Sequence, residues 1–236
     1  MSRKTFTFDG VVSSTYGVYI NGAGTYNGAA RDFDAIEIPG RDGVLTIDNG
    51  RFSQIRHQYE SFIVPPFNTN VQGLRNALLS RRGLKRLTDD YHPDEFYLAF
   101  FENGLEVSPS DTLVEGRLNI TFTRDPRRFL TSGETVTTLT ANGSITNPTL
   151  FDARPLLRVY GTGQLGVGSD YITISAADVY TDIDCEIREA FKGTVSKNQN
   201  ITLTGDDFPV LRPGSNGFTL GTGITKVEIT PRWYRL

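Results

Sequence analysis

The stretch GTGQLGVGSDYITIS, residues 161–175, decides between two fold classes. Gly161, Gly163 and Gly166 match the GxGxxG pattern of a dinucleotide-binding loop. That pattern binds a nucleotide where a helix begins directly after the glycines, because the pyrophosphate lies at the helix N-terminus. Here the β-forming residues 171–174 follow instead. We therefore interpret the glycines as a turn between two strands, joining residues 160 and 171, and predict no nucleotide cofactor.

Two acids, Asp182 and Asp184, follow these glycines at about the spacing of a ribose-binding acid. Without the helix, the alternation in DIDCEIR, residues 182–188, explains them better. The predicted inward residues are Ile183, Cys185 and Ile187, and the predicted outward residues are Asp182, Asp184, Glu186 and Arg188. Three acids on one strand face can hold calcium, but a solvated outer face is the commoner arrangement. We predict no metal site.

The composition is that of a folded protein whose main partner is not nucleic acid. The 236 residues include 24 Lys and Arg against 27 Asp and Glu, a net charge of -3, which argues against coating nucleic acid or an anionic membrane. The single cysteine, Cys185, excludes an internal disulfide and a cysteine-based zinc site. The first residues, MSRKTFTFDG, contain no signal-peptide core, so we expect assembly in the cytoplasm of the producing cell.

Period-two alternation dominates the first half of the chain. Leu118, Ile120 and Phe122 alternate with polar residues, which predicts a strand with one buried face. The turn sequence PGRDG at 39–43 and the Asn-Gly pair at 49–50 predict two tight turns in a meander of antiparallel strands.

A single segment predicts a helix of normal length, NTNVQGLRNALLSRRG at 68–83. Asn70 is the predicted N-cap, Leu74 and Leu78 share an apolar face, and Gly83 is the predicted C-terminal stop. Beyond about residue 130 the chain is rich in Thr, Gly and Ser, and short strand candidates recur between turns. We therefore predict a mainly β protein with an N-terminal sheet-plus-helix domain at 1–132 and a C-terminal β-sandwich at 133–236.

No catalytic constellation is apparent. His57 and His92 have no nucleophile motif nearby. The acids from which a glycoside hydrolase pair could be drawn flank turns, where Asp is favoured for backbone hydrogen bonding. These acids are Asp89, Asp90, Asp94, Glu95, Asp206 and Asp207. Trp233 is either a sugar-stacking platform or an aromatic anchor of a terminal strand, and we favour the anchor. We predict no enzymatic activity.

Three segments together resemble one family. They are FTFDGVVSSTYGVYINGAGTYNGAARDFDAIEIPGRDGVLTIDNGRF at 6–52, DFPVLRPGSNGFTL at 207–220 and ITPRWYRL at 229–236. This combination resembles the distal tail proteins of bacteriophages with long, non-contractile tails. The resemblance implies an N-terminal domain that forms a hexameric ring and a galectin-like C-terminal β-sandwich.

The resemblance also implies a role and partners. Such a ring joins the end of the tail tube to the tail-tip or baseplate proteins, and it lets DNA pass without reading its sequence. The implied partners are further copies of the chain, the tail tube protein, the tape-measure protein and tip or fibre proteins. The expected location is the distal end of the virion tail, with no membrane partner and no cofactor. The alternative is a carbohydrate-binding tail component that recognises a host glycan; a galectin-like fold does not by itself confer sugar binding.

A closed ring needs two different complementary surfaces on each subunit. From position and charge, the predicted interface residues are Arg41, Asp42, Arg51, Arg75, Arg81 and Arg82. The last three belong to a basic cluster that continues to Lys85 and Arg86. A nucleic-acid surface is the other use of such a cluster, and a solvated or interface face is the reading we favour.

Overall fold

The computed structural model describes residues 3–22, 27–102, 104–109 and 115–236. The chain divides into two compact units, Met1–Arg128 together with Leu236, and Phe129–Arg235. The fold class predicted from the sequence is confirmed: the protein is mainly β, and its described residues include one α-helix. Among the described residues, no helix has the length and apolar character needed to span a membrane.

The first unit is built on one antiparallel sheet. Its elements are β1 (Phe6–Phe8), β2 (Val11–Val12), a 3-10 helix (Ser13–Tyr16), β3 (Val18–Ile20), β4 (Arg31–Glu37), β5 (Val44–Phe52), β6 (Ile55–Ile63), α1 (Phe67–Leu79), β7 (Lys85–Asp89), β8 (Glu95–Phe100), β9 (Ser108–Pro109) and β10 (Gly116–Arg124). The sheet order is β2-β1-β7-β8-β10-β6-β3, with β9 paired to β10. Strands β4 and β5 pair only with each other among the described strands.

The longest ladder joins β6 to β10 and sets the core of this unit. Leu118, Ile120 and Phe122 are buried, as the alternation predicts, and Phe122 lies opposite His57. Buried side chains alternate with more exposed ones along β6 and along β10 as far as Phe122, because successive residues of a strand point to opposite faces.

The helix α1 exists, but both predicted ends are wrong. It begins at Phe67 after Pro66, and the Asn70 side chain donates a hydrogen bond back to the Val64 carbonyl at 2.8 Å instead of capping. It ends at Leu79, four residues before Gly83. Pro66 is the N-cap residue and has an extended backbone; its missing amide proton costs no hydrogen bond there, because the first turn of a helix leaves such donors unpaired.

The second unit is the β-sandwich that the sequence predicts. Its two sheets are formed by β12 (Thr137–Leu139), β13 (Gly143–Asn147), β14 (Leu156–Gly161), β15 (Gly163–Val167), β16 (Asp170–Ile174), β17 (Tyr180–Asp184), β18 (Glu189–Lys192), β19 (Val195–Ser196), β20 (Ile201–Leu203), β21 (Gly214–Leu220) and β22 (Ile224–Thr230). The short strands β11 (Arg128–Leu130) and β23 (Tyr234–Arg235) pair with each other and belong to neither sheet. One sheet has the order β12-β22-β14-β17-β18-β19 and the other β13-β21-β15-β16-β20. Apolar side chains of both sheets, such as Leu157 and Ile229 from the first and Leu165 and Phe218 from the second, meet in one core.

The glycine stretch is not the turn that the sequence predicts. Strand β15 occupies the middle of it, so Gly161 and Gly163 carry the chain from one sheet to the other and Gly166 lies inside a strand. A Cβ on Gly161 would lie 2.1 Å from the Gly223 carbonyl oxygen. The glycines are needed because two backbone segments touch at this crossover.

The acids after that stretch are also placed differently from the prediction. Strand β17 ends at Asp184, so the alternation stops there and Ile187 is exposed in the following turn. Asp182 and Asp184 are buried and bind Arg158 and Arg232, each through two hydrogen bonds of 2.7 to 3.0 Å. The Arg232 guanidinium and backbone amides hold the pKa of Asp184 below its usual value, against the opposing effect of burial.

Candidate functional site

The most unusual feature of the first unit is an exposed two-stranded hairpin, residues 31–52, which we call the arm. Its strands β4 and β5 pair in the register Ile36 opposite Leu45 and Asp34 opposite Ile47. The turn between them has positive φ at Gly40 and so matches the predicted PGRDG turn. An isolated two-stranded hairpin is marginally stable in water. The arm therefore gains stability if another surface covers it.

One face of the arm is apolar. Cross-strand partners share a face, so Ile36, Leu45 and Ile47 project together beside Asp34. Ile36 and Ile47 are each 45% exposed, and Phe33 on the opposite face is 54% exposed. Contiguous exposed apolar side chains of this kind mark interaction surfaces.

The arm contradicts two details of the predicted meander. Strand β6 does not continue from the arm into one sheet but pairs with β3 and β10. The Asn49-Gly50 pair forms no turn; it lies in β5 at a bulge, where the register shifts and the Gly50 amide donates to Asp48 at 2.8 Å. A bulge of this type strengthens the local twist of a strand.

The base of the arm is tied to a buried polar cluster. Arg124 is buried in the sheet and donates a hydrogen bond of 3.0 Å from Nη2 to the Asn27 carbonyl, just before β4. Its guanidinium lies over the Tyr97 ring at 4.3 Å, while its Nε and Nη1 have no hydrogen-bond partner among the described residues. Burial lowers the pKa of Arg124. The hydrogen bond from Arg124 to Asn27 thus anchors the base of the arm to this buried polar cluster.

His57 and its neighbours complete this cluster. The imidazole is buried, contacts the Tyr59 ring edge-on at 4.5 Å, and has no hydrogen-bond partner within the described ranges. Tyr59 donates to Asp89 at 2.7 Å, and burial next to that carboxylate raises the pKa of Tyr59. The second histidine, His92, contacts the other oxygen of Asp89 at 3.0 Å.

We expect the first unit to lose stability in mild acid through His57. Burial, then the Arg124 charge, lowers the pKa of His57 from 6.5 to about 4. The unfolded chain therefore binds this proton at a higher pH than the folded chain does. The contribution to stability is complete above about pH 6.5 and is lost as the pH falls towards 4, by about 3 kcal/mol at most.

Urea unfolding at pH 7 and pH 4.5 measures this loss. The control is His57→Phe, which keeps a ring of similar shape and removes the titrating group, so its unfolding free energy should fall less between the two pH values. An equal fall in both proteins would show that other groups cause it.

The predicted interface residues lie on two separate elements of the first unit. Arg41 and Asp42 are exposed at the arm tip, and Arg51 forms an ion pair with Asp32 within the arm. At α1, Arg75 donates to the Leu105 carbonyl at 3.1 Å and Arg81 pairs with Asp9 at 3.2 Å. Arg82 is exposed just beyond the helix.

Sequence reasoning missed the apolar residues of the arm. It selected charged residues at the turns and left out Phe33, Ile36 and Ile47, which are large, apolar and also exposed. The sequence does contain a pattern that indicates an apolar hairpin, because aliphatic residues flank the PGRDG turn on both sides. That pattern is equally typical of a hairpin packed on a core, so exposure could not be inferred from it.

Three other sequence candidates, in the second unit, are buried or bound by another side chain. Trp233 is buried in the sandwich core, and the Leu130 amide donates to its carbonyl at 2.8 Å, so it forms a strand anchor and not a sugar platform. Burial raises the pKa of Cys185 to about 12, which keeps the thiol protonated. Asp207 accepts two hydrogen bonds from Arg188 at 2.6 and 2.8 Å, and these hold its pKa well below the usual value.

Comparison with solved structures identifies the fold. The Dit protein of phage SPP1, described as a paradigm of the hub adsorption apparatus in phages that infect Gram-positive bacteria, superposes with a TM-score of 0.76 over 100% of both chains at 14% sequence identity. This chain has the fold of the SPP1 Dit protein. A component of the phage P2 baseplate, in its activated conformation with calcium, superposes with a TM-score of 0.53 over 97% of each chain at 10% identity. No protein-family description and no curated protein sequence matches this chain.

The agreement with the SPP1 Dit fold covers both units, so the predicted combination of a sheet-plus-helix unit and a sandwich is confirmed. At 14% identity the shared feature is the fold. The specific role must therefore be argued from the surfaces of this chain.

Proposed function

We propose that this protein is a structural component of the distal end of a phage tail, a hub that assembles into a hexameric ring. The observation that carries the proposal is the agreement of fold with the SPP1 Dit protein along the whole of both chains. The exposed arm supports the self-assembly, because a marginal hairpin with three exposed aliphatic side chains on one face gains stability when a neighbour covers it.

In this role the ring joins the tail tube to the tip or fibre proteins, with the tape-measure protein among its neighbours, and the DNA passes through the central channel. The protein reads no DNA sequence. Assembly takes place in the cytoplasm of the bacterial host, and the mature location is the virion tail. The role needs no cofactor and no catalysis.

The proposal includes no enzymatic activity. Among the acids that a glycoside hydrolase would use, Asp89 accepts hydrogen bonds from the Tyr59 hydroxyl and the His92 amide, and Asp207 is clamped by Arg188. This clamp makes Asp207 a poor general acid, because the Arg188 guanidinium stabilises the charged carboxylate and holds its pKa well below the usual value. The carbohydrate-binding alternative loses the platform assigned to Trp233, which is buried.

We expect the purified chain to form closed rings of six copies. Native mass spectrometry across a range of concentrations measures the stoichiometry, and electron micrographs of the same sample test closure. A ring of defined size supports the hub. A chain that stays monomeric at every concentration contradicts self-assembly.

A further inference from the structure

The arm carries negative charge next to its apolar face. Residues 31–52 contain five acids and three arginines. Arg51 and Arg31 are already paired with Asp32 and Asp48 inside the arm. The acids left facing outward therefore outnumber Arg41 at the tip. A partner surface that fits the arm is basic and apolar.

A surface of that chemistry lies at the end of α1. We call residues 79–86 the basic patch; it contains Arg81, Arg82, Lys85 and Arg86 and no acid. Leu79 is 50% exposed and Leu84 is 46% exposed, so the patch offers two bare apolar side chains. Arg81 is partly neutralised by Asp9, and Arg86 stacks on the Phe96 ring at 3.8 Å. Arg82 and Lys85 are the cations best placed to meet a partner.

Within one copy, the arm and the basic patch do not cover each other. Ile36 and Ile47 on the arm remain exposed, and so do Leu79 and Leu84 on the patch. A ring requires two different surfaces that complement each other, because its contacts are head-to-tail. Opposite charge and matching apolar character make these two surfaces such a pair.

We propose that the arm of one copy docks on the basic patch of the next copy. The inference rests on the proposed ring and names the surfaces that close it. The apolar face with Ile36 and Ile47 covers Leu79 and Leu84, while Asp34 and Asp42 meet Arg82 and Lys85.

Paired charge reversals test this docking in the full-length chain. The arm variant carries Asp34→Lys and Asp42→Lys, and the patch variant carries Arg82→Glu and Lys85→Glu. Alone, each variant brings like charges together at every contact, so the concentration needed for assembly should rise at least about tenfold. Mixed, every contact again joins opposite charges, and native mass spectrometry should find rings with equal numbers of the two variants.

The outcomes separate this inference from the proposed function. Rings of the unmodified chain that persist unchanged in the patch variant overturn the docking and leave the hub intact. A monomeric unmodified chain overturns the ring itself. The control Arg212→Glu, an exposed charge reversal in the sandwich, should assemble like the unmodified chain, and circular dichroism confirms that each variant is folded. Failure of the mixture to assemble, with both variants folded, also overturns the docking.

Discussion

Replacing Ile36 and Ile47 by aspartate will leave a folded protein that no longer assembles. Both residues are 45% exposed in the single copy, so the substitutions remove only part of their packing within the arm. At an assembled interface each isoleucine contributes about 1 kcal/mol for the half of its surface that remains to be buried, and a buried unpaired carboxylate adds a further cost. We expect at least about a hundredfold weaker assembly, roughly 3 kcal/mol per contact.

Analytical ultracentrifugation measures this loss, and thermal unfolding of the same samples checks the fold. The matched control is Leu150→Asp with Val195→Asp, two exposed aliphatic residues of the sandwich. The control should assemble normally. Rings of undiminished stability in the arm variant would exclude the arm from the interface, whatever the role of the protein.

The second large effect is expected at the sheet crossover. Gly161 has φ of +99°, which residues with a side chain rarely adopt, and an added Cβ would lie 2.1 Å from the Gly223 carbonyl oxygen. The Gly223 oxygen belongs to the backbone of the loop before β22, so it cannot move aside by a side-chain rotation. Gly161→Ala should therefore lower the free energy of unfolding by about 4 kcal/mol, from strain and overpacking together.

Trp233 provides the measurement, because it is the single tryptophan and lies in the sandwich core. Its fluorescence follows chemical unfolding of the second unit. The control is Gly217→Ala, where the added Cβ meets no atom within 4 Å and φ is ordinary, so stability should stay within about 0.5 kcal/mol. An equally small effect at Gly161 would mean that the two backbone segments do not approach each other closely.

The features that the sequence predicts well are local ones. Alternation at Leu118, Ile120 and Phe122 predicts a buried face because period two is a property of the strand itself. The β-forming residues at 171–174 predict the strand β16 for the same kind of reason, because β-propensity depends on each residue and its immediate neighbours. The existence of α1 follows from its spacing of leucines, although its ends do not.

The predictions fail where contact with a segment distant in sequence determines the burial or the backbone conformation of a residue. Asp182 and Asp184 have the spacing of residues on a solvent-exposed strand face. In the structure they are buried in ion pairs with Arg158 and Arg232, which are distant in sequence. The glycines at 161 and 163 have the pattern of a turn, yet the opposing loop at 222–223 requires them in a crossover. The pattern of residues within a segment does not indicate which other segment packs against it.

The sequence by itself determined the class of the protein: mostly strands, one helix, a sheet-bearing first half and a sandwich after it. Those properties depend on side-chain period and turn chemistry, which act over a few residues. Only the tertiary structure decided that residues 31–52 leave the sheet as a bare arm and that β6 pairs elsewhere. Exposure is a property of what packs against a residue, so the same alternating aliphatic residues are core in β10 and exposed surface in the arm.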